Sequence, residues 1–325
     1  MNVARRELLR LAAGAAVVPA ASRIAWAQAY PTRPVRIIVA FGPGGPAEIA
    51  ARLAGQWLSE RLGQPFIVEF RPGAGSNIGT EAVVRAPPDG YTLLLAAPSN
   101  VINVTLYEKL SFNFLRDMAP VAGIFREPLI VVVNPSLPAA SISAFIAYAK
   151  ANPRKLSMAT SGIGVASHVS GELFKMMAGI EMVHVPYRST GPALTDIIGG
   201  QVQVMFAALS PSIPHIRAGT LRALAVTTAT RSDVFPDLPT VSEFVQGYEA
   251  SNWLGISAPR NTPTEIIDKL NKEINAGLAD TKIKARLADL GSTVLSGSPA
   301  DFGNLLANET EKWAKVVKSA GIKPE

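Results

Sequence analysis

Short β-branched runs alternate with helix-length amphipathic segments along most of this chain, and that alternation restricts the fold more than any other feature. Runs at 35–40, 66–70 and 91–96 are separated by helical patterns at 49–62 and 78–86. Such an order predicts βαβ units and a mainly parallel sheet, because parallel neighbours need a long crossover between them. In the first helical pattern Ile49, Leu53 and Trp57 recur every four residues, as do Ala50, Ala54 and Leu58. They form one apolar stripe, which Gly63 ends. A second series starts at the apolar run 129–133 and continues with helix 143–151, strand 156–159, helix 166–178 and strand 182–185. A short helix at 192–198 and strands at 202–206 and 221–227 complete it. Two parallel units in 325 residues predict two α/β lobes. The tail reads as helical. Thr262-Pro263-Thr264-Glu265 and Ser298-Pro299-Ala300-Asp301 each offer a capping hydroxyl, a first-turn proline and an acid three residues on, and Gly291 and Gly321 fit the stops.

The N-terminus reads as an export signal. Arg5 and Arg6 precede Glu7-Leu8-Leu9, and the apolar run from Leu11 to Ala21 is too short to span a bilayer. Ala25-Trp26-Ala27 places small residues where signal peptidase needs them, so residues 1–27 are expected to be removed and Gln28 to begin the mature chain. The arginine pair followed by two leucines points to the twin-arginine route, while Arg10 beside the apolar run also fits Sec export. Without the signal 27 basic residues face 24 acidic ones, a net charge of +3. So small a charge over so long a chain makes no basic stripe, which excludes nucleic acid as a partner. With no cysteine there is no disulfide and no thiolate chemistry. His168, His184 and His215 stand far apart with no carboxylate at ligand spacing, so no metal site is expected.

Three glycine-rich turns each lead from a strand into a helix: Phe41-Gly42-Pro43-Gly44-Gly45-Pro46, Arg71 to Asn77, and Thr160 to His168. Turns of this kind aim free backbone N–H groups at an anion, and each helix N-terminus adds about half a positive charge. Two such ends facing across a cleft would clamp a carboxylate. Ser76, Asn77, Ser161 and Ser167 could add neutral donors. None of the turns completes a phosphate loop or a dinucleotide fingerprint, so no cofactor is expected. Glu48 falls near the third position of its helix, where it could cap the helix or meet the ligand. Tyr187 and Arg188 end a strand near the same cleft edge, with core packing the other role for Tyr187. His168 beside Ser167 invites a Ser/His catalytic reading, but adjacent residues rarely orient each other productively and no third member is visible. No nucleophile elbow or metalloprotease helix is present, so an enzyme is not expected.

These residues resemble the Bug or TctC-like substrate-binding receptors of tripartite tricarboxylate transporters. The resemblance runs through Phe41 to Glu48, Arg71-Pro72-Gly73-Ala74-Gly75, Pro88-Asp89-Gly90-Tyr91, Ser161-Gly162-Ile163-Gly164, His184-Val185-Pro186-Tyr187, Leu238-Pro239-Thr240 and Trp253-Leu254-Gly255. It implies a type II periplasmic-binding-protein fold with lobe one at 28–127 and 251–325, lobe two at 128–250, and the ligand in the cleft. It also implies a small carboxylate held by Phe41, Gly44, Gly45, Ser161, Gly162, Gly164 and Ser167, and a monomer that docks membrane permease subunits. The same fold would permit a sensor that presents its solute to a periplasmic signalling domain. The chain departs from the family pattern at Glu48 and Gln203, each usually Asp, at Ser189, usually Gly, and at Ala40, often Pro.

Overall fold

The computed structural model describes residues 30–324; the arginine pair, the apolar run and the cleavage motif read as an export signal lie outside them. The first series forms β1 (Val35–Val39), α1 (Pro46–Leu62), β2 (Phe66–Phe70), α2 (Asn77–Val84), β3 (Thr92–Ala96) and α3 (Pro98–Leu106). A short α4 (Phe114–Asp117) leads into β4 (Met118–Val133). The second series is α5 (Ile142–Ala151), β5 (Ser157–Thr160), α6 (Ala166–Ala178), β6 (Val183–Pro186), α7 (Thr190–Ile198), β7 (Val204–Ala208), α8 (Leu209–Arg217) and β8 (Arg222–Val226). The chain closes with β9 (Ser251–Pro259), α9 (Thr264–Ala279), α10 (Thr281–Asp289), β10 (Thr293–Val294) and α11 (Pro299–Ser319).

Strands run in the order β2-β1-β3-β9-β4-β7-β5-β6, with β8 and β10 also paired to β4. Each series supplies its parallel unit, β2-β1-β3 and β7-β5-β6. Among the strands just named, every antiparallel pairing involves β4 or β9. The first half of β4 pairs with β9, and from Leu129 onward the same strand pairs with β7 and β8. This one strand therefore belongs to both lobes. Its second half is the unbroken apolar run visible in the sequence. Its first half carries Pro120, Gly123, Glu127 and Pro128, which interrupt the strand signature, and its register with β9 shifts beside Pro120 and beside Gly123.

The α1 stripe packs as expected on one side: Ala50, Ala54 and Leu58 are buried, while Ile49, Leu53 and Trp57 are half-buried at its edge. At Ser298 the expected cap forms, the hydroxyl oxygen accepting from the Asp301 N–H at 3.2 Å and Asp301 accepting from the Ser298 N–H at 2.8 Å. At the other expected start it does not. Thr262 Oγ1 donates back to the Pro259 carbonyl at 2.7 Å, and Pro263 itself is the residue that precedes the first helical one. The strand end holds the hydroxyl because Pro259 closes β9 only three residues earlier. The helix that follows is also interrupted, since the Asp280 side chain accepts from Lys282 and Ile283 and starts α10 afresh. Helix α11 packs on β4, α3 and α6, and its buried Glu309 accepts from the indole N–H of Trp313 at 2.8 Å and of Trp253 in β9 at 3.2 Å.

Candidate functional site

The carboxyl ends of β1, β3, β5, β6 and β7 all open toward one cavity between the lobes, and the first four are followed by helices whose first turns reach that cavity. Phe41, Gly42, Gly45, Pro46 and Ala47 come from the turn into α1, and Ala97, Pro98 and Ser99 from the turn into α3. Ser161, Val165, Ala166 and Ser167 come from the turn into α6, Ser189 and Thr190 from the start of α7, and Ala208 from the end of β7. Leu129 of β4 and Asn252 and Leu254 of β9 complete the wall. No lining side chain is charged. First-turn N–H groups of a helix have no intrahelical acceptor. Those of Ala47, Ser99, Ala166, Ser167 and Thr190 find no acceptor among the described residues either. Helix dipoles thus provide the positive potential of the cavity, and neutral N–H and hydroxyl groups provide its donors.

The lobes touch across this cavity. Ser189 Oγ donates to the Pro43 carbonyl at 2.9 Å, and the Gly42 N–H approaches the Arg188 carbonyl at 3.4 Å. Ser189, where the resemblance leads one to expect glycine, is therefore both a cavity residue and a latch between the loops. Gln203 is neither: its side chain accepts from the Ser157 N–H at 2.9 Å, away from the cavity.

A model described as the tripartite tricarboxylate transporter family receptor matches residues 50–322. The chain belongs to that family. BugT of Bordetella pertussis is 37% identical over 302 residues, covering 91% of this chain and 92% of BugT. Among solved structures, R. palustris Rpa4515 with adipate is 38% identical with a TM-score of 0.88, covering 91% of this chain and 100% of that one. MatC from Rhodopseudomonas palustris with bound malate is 32% identical with a TM-score of 0.85, covering 89% and 100%. The two-lobed α/β receptor fold expected from the sequence is the fold observed.

Within this receptor the residues singled out from sequence separate into three groups. Phe41, Gly45, Ser161 and Ser167 line the cavity. Ser76, Gly162, Tyr187 and Arg188 line only a wider groove outside it, which Phe41, Ser161 and Val165 share. Gly44, Glu48, Asn77, Thr160, Gly164 and His168 reach neither. The Glu48 carboxylate accepts from the Gly44 N–H at 2.9 Å and from Arg52 at 2.7 Å, and these bonds, the Gly44 one first, lower its pKa. Of its two possible roles Glu48 thus fills the local one, fastening the turn into α1. Asn77 and Ser76 tie the second glycine turn to α3: Asn77 Oδ1 accepts from Asn103 at 2.9 Å, and Ser76 Oγ meets Ser99 Oγ at 2.7 Å. Tyr187 donates to Asp196 at 2.7 Å, and burial together with that carboxylate pushes its pKa up to about 12.

The Ser/His pairing is not formed. Ser167 Oγ accepts from the Ser161 N–H at 3.0 Å and lies 3.1 Å from Ser161 Oγ. His168 is buried, accepts from the Gly164 N–H at 3.1 Å, and stacks on His184 with ring centroids 4.0 Å apart. Burial first, then the charges of His184 and Lys175, lower its pKa to about 3; burial and Lys175 lower that of His184 to about 4. Both rings are neutral packing elements near neutrality. Thr160 Oγ1 lies 2.7 Å from His184 Nε2 and supports the same stack.

Sequence reading missed the contributions of α3, α7, β7 and β9. Ala97-Pro98 was legible, because a proline directly after an apolar strand is a helix-start signal. Leu129, Ala208, Asn252 and Leu254 carry no such signal; they reach the cavity only because β4, β7 and β9 lie side by side.

Proposed function

We propose that the mature chain is a periplasmic receptor that closes on a small carboxylate and presents it to the membrane permease subunits of a tripartite transporter. The observation that carries this reading is the meeting of unpartnered first-turn N–H groups from α1 of one lobe and α6 and α7 of the other in one cavity without a charged wall. Such a site suits an anion that has shed its water, and it is complete only when both lobes contribute. The adipate and malate bound by the solved relatives support a carboxylate as that anion. Phe41, Gly45, Ser161 and Ser167 would hold it with the N-termini of α1, α6 and α7; Gly162, Ser76, Tyr187 and Arg188 would border its approach. The lobe boundaries would fall at 28–127 with 251–325 and 128–250, one residue from where β4 exchanges β9 for β7 and at the start of β9. Binding and release, rather than catalysis, follow from a cavity in which Ser161 and Ser167 face each other instead of a base. The chain would act as a monomer, exported with residues 1–27 removed and along the twin-arginine route.

The test is a thermal-shift screen of residues 28–325 against mono-, di- and tricarboxylates and nicotinate-like aromatic acids. A ligand at a hundred times its Kd stabilises by about 2.7 kcal/mol, a readily measured rise in Tm. A rise with uncharged or cationic solutes and none with any carboxylate would overturn the proposal.

A further inference from the structure

Glu127 sits on β4 at the point where the strand passes between sheets, fully buried and behind the cavity wall. Its carboxyl oxygens meet two neutral donors: Asn252 Nδ2 at 3.0 Å and the Ser210 N–H in the first turn of α8 at 3.2 Å. Asn252 is itself nine-tenths buried and borders the cavity. An amide presents donors on one branch and an acceptor on the other. With the nitrogen committed to Glu127, the oxygen takes the opposite branch. Among the described residues nothing donates to Asn252 Oδ1, yet it is not one of the fully buried polar atoms lacking a partner. Asn252 lies on the cavity wall.

The cavity has a mouth and a floor. Phe41, Ser161 and Val165 border both the cavity and the outer groove, so the mouth is there; Asn252, Leu129 and Leu254 border the cavity alone. The loops that form the mouth lead directly into α1 and α6, whose Ala47, Ala166 and Ser167 N–H groups are free, so an anion held by them leaves its other end to the floor. We infer that Glu127 is a positioning residue that turns the Asn252 carbonyl toward that end, so that the receptor selects carboxylates whose far end carries a hydrogen-bond donor, a hydroxyl or an ammonium. This rests on the carboxylate reading above. A methyl there would leave Oδ1 buried without a donor, and a second carboxylate would face an acceptor backed by an acid. At the α8 N-terminus the Ser210 N–H is already engaged by Glu127.

The experiment is calorimetry on residues 28–325 with chain-matched probes: hexanoate, 6-hydroxyhexanoate, 6-aminohexanoate and adipate, and their four- and five-carbon homologues. The wild type should bind the hydroxy or amino acid about tenfold tighter than the alkanoate at its preferred length. A preference for the amino acid would assign the donor as an ammonium, and one for the hydroxy acid as a hydroxyl. In Glu127→Gln the new amide can donate to Asn252 and release its orientation, so the ratio should fall below about threefold while alkanoate affinity is kept. A merely structural role would weaken all probes alike. Asn252→Ala should abolish the ratio too, and decides the matter if Glu127→Gln does not fold. An alkanoate or diacid bound as well as the donor-bearing acids by the wild type, or an unchanged ratio in a folded variant, overturns the inference. If no carboxylate binds at all, the functional proposal falls first and this one with it.

Discussion

Replacing Gly75 with alanine should impair closure of the lobes while leaving each lobe folded. Gly75 lies in the second glycine turn with φ of +58°, and a methyl built there would sit 2.6 Å from the Ile163 carbonyl oxygen of the facing glycine turn. A carbon rests about 3.3 Å or more from such an oxygen, so the overlap is roughly 0.7 Å. The obstacle is backbone, which cannot rotate away. Overpacking of this kind costs about 1–3 kcal/mol, and here it falls only on the form in which the lobes touch. A ligand that binds the closed form should therefore lose about 5–150-fold in affinity. The left-handed conformation adds about 1 kcal/mol for any side chain in either form. Gly63→Ala controls for that, because Gly63 has φ of +71° and nothing within 4 Å of its added carbon. Calorimetry with a carboxylate identified in the screen, paired with small-angle scattering, reads both effects. Expected are a weaker Kd and a larger radius of gyration for the liganded Gly75→Ala protein, with Gly63→Ala binding like the wild type. Wild-type affinity and compaction in Gly75→Ala would show that the observed contact between lobes is no part of the liganded state.

Two further outcomes follow from buried polar groups. His168 has its folded pKa near 3, well below the ordinary value of 6.5, so the unfolded chain binds more protons between these limits and stability falls as pH drops through that window. About 2 kcal/mol should be lost between pH 7 and 5, measured as the wild-type decline in unfolding free energy minus that of His168→Gln; equal declines would refute it. Glu309→Ala should strand the indole N–H groups of Trp253 and Trp313 and cost about 3 kcal/mol, with Glu309→Gln costing roughly half. Chemical denaturation checks this, and a loss below about 1 kcal/mol would show that water or rearrangement satisfies both indoles.

How much of this was legible beforehand depended on the range of the interactions concerned. Helix α6 falls at 166–178, as its periodicity indicated, and β1 and β2 lie within their β-branched runs. The loops bearing Phe41, Gly45, Ser161 and Ser167 were legible because a strand followed by glycines and a helix is a local pattern. The same pattern also drew in Gly44, Glu48 and Gly164, whose groups are turned to their own loops and helices; local sequence cannot say which member of a turn faces outward. The membership of β4 in both sheets was hidden, since Pro120, Gly123 and Pro128 look like interruptions until β9 lies alongside.

The sequence by itself determined the alternation of strands and helices, the apolar faces that bury them, and the positions at which helices begin at the ends of strands. These follow from backbone sterics and from side-chain periodicity over a few residues. Only the tertiary structure decided which helix ends share a cavity, that Ser189 bridges to Pro43, and that Glu127 and Asn252, 125 residues apart, hold each other at its floor. Strand order alone brings such residues together, and that order is set by the cooperative burial of the whole core, which no short stretch of the chain encodes.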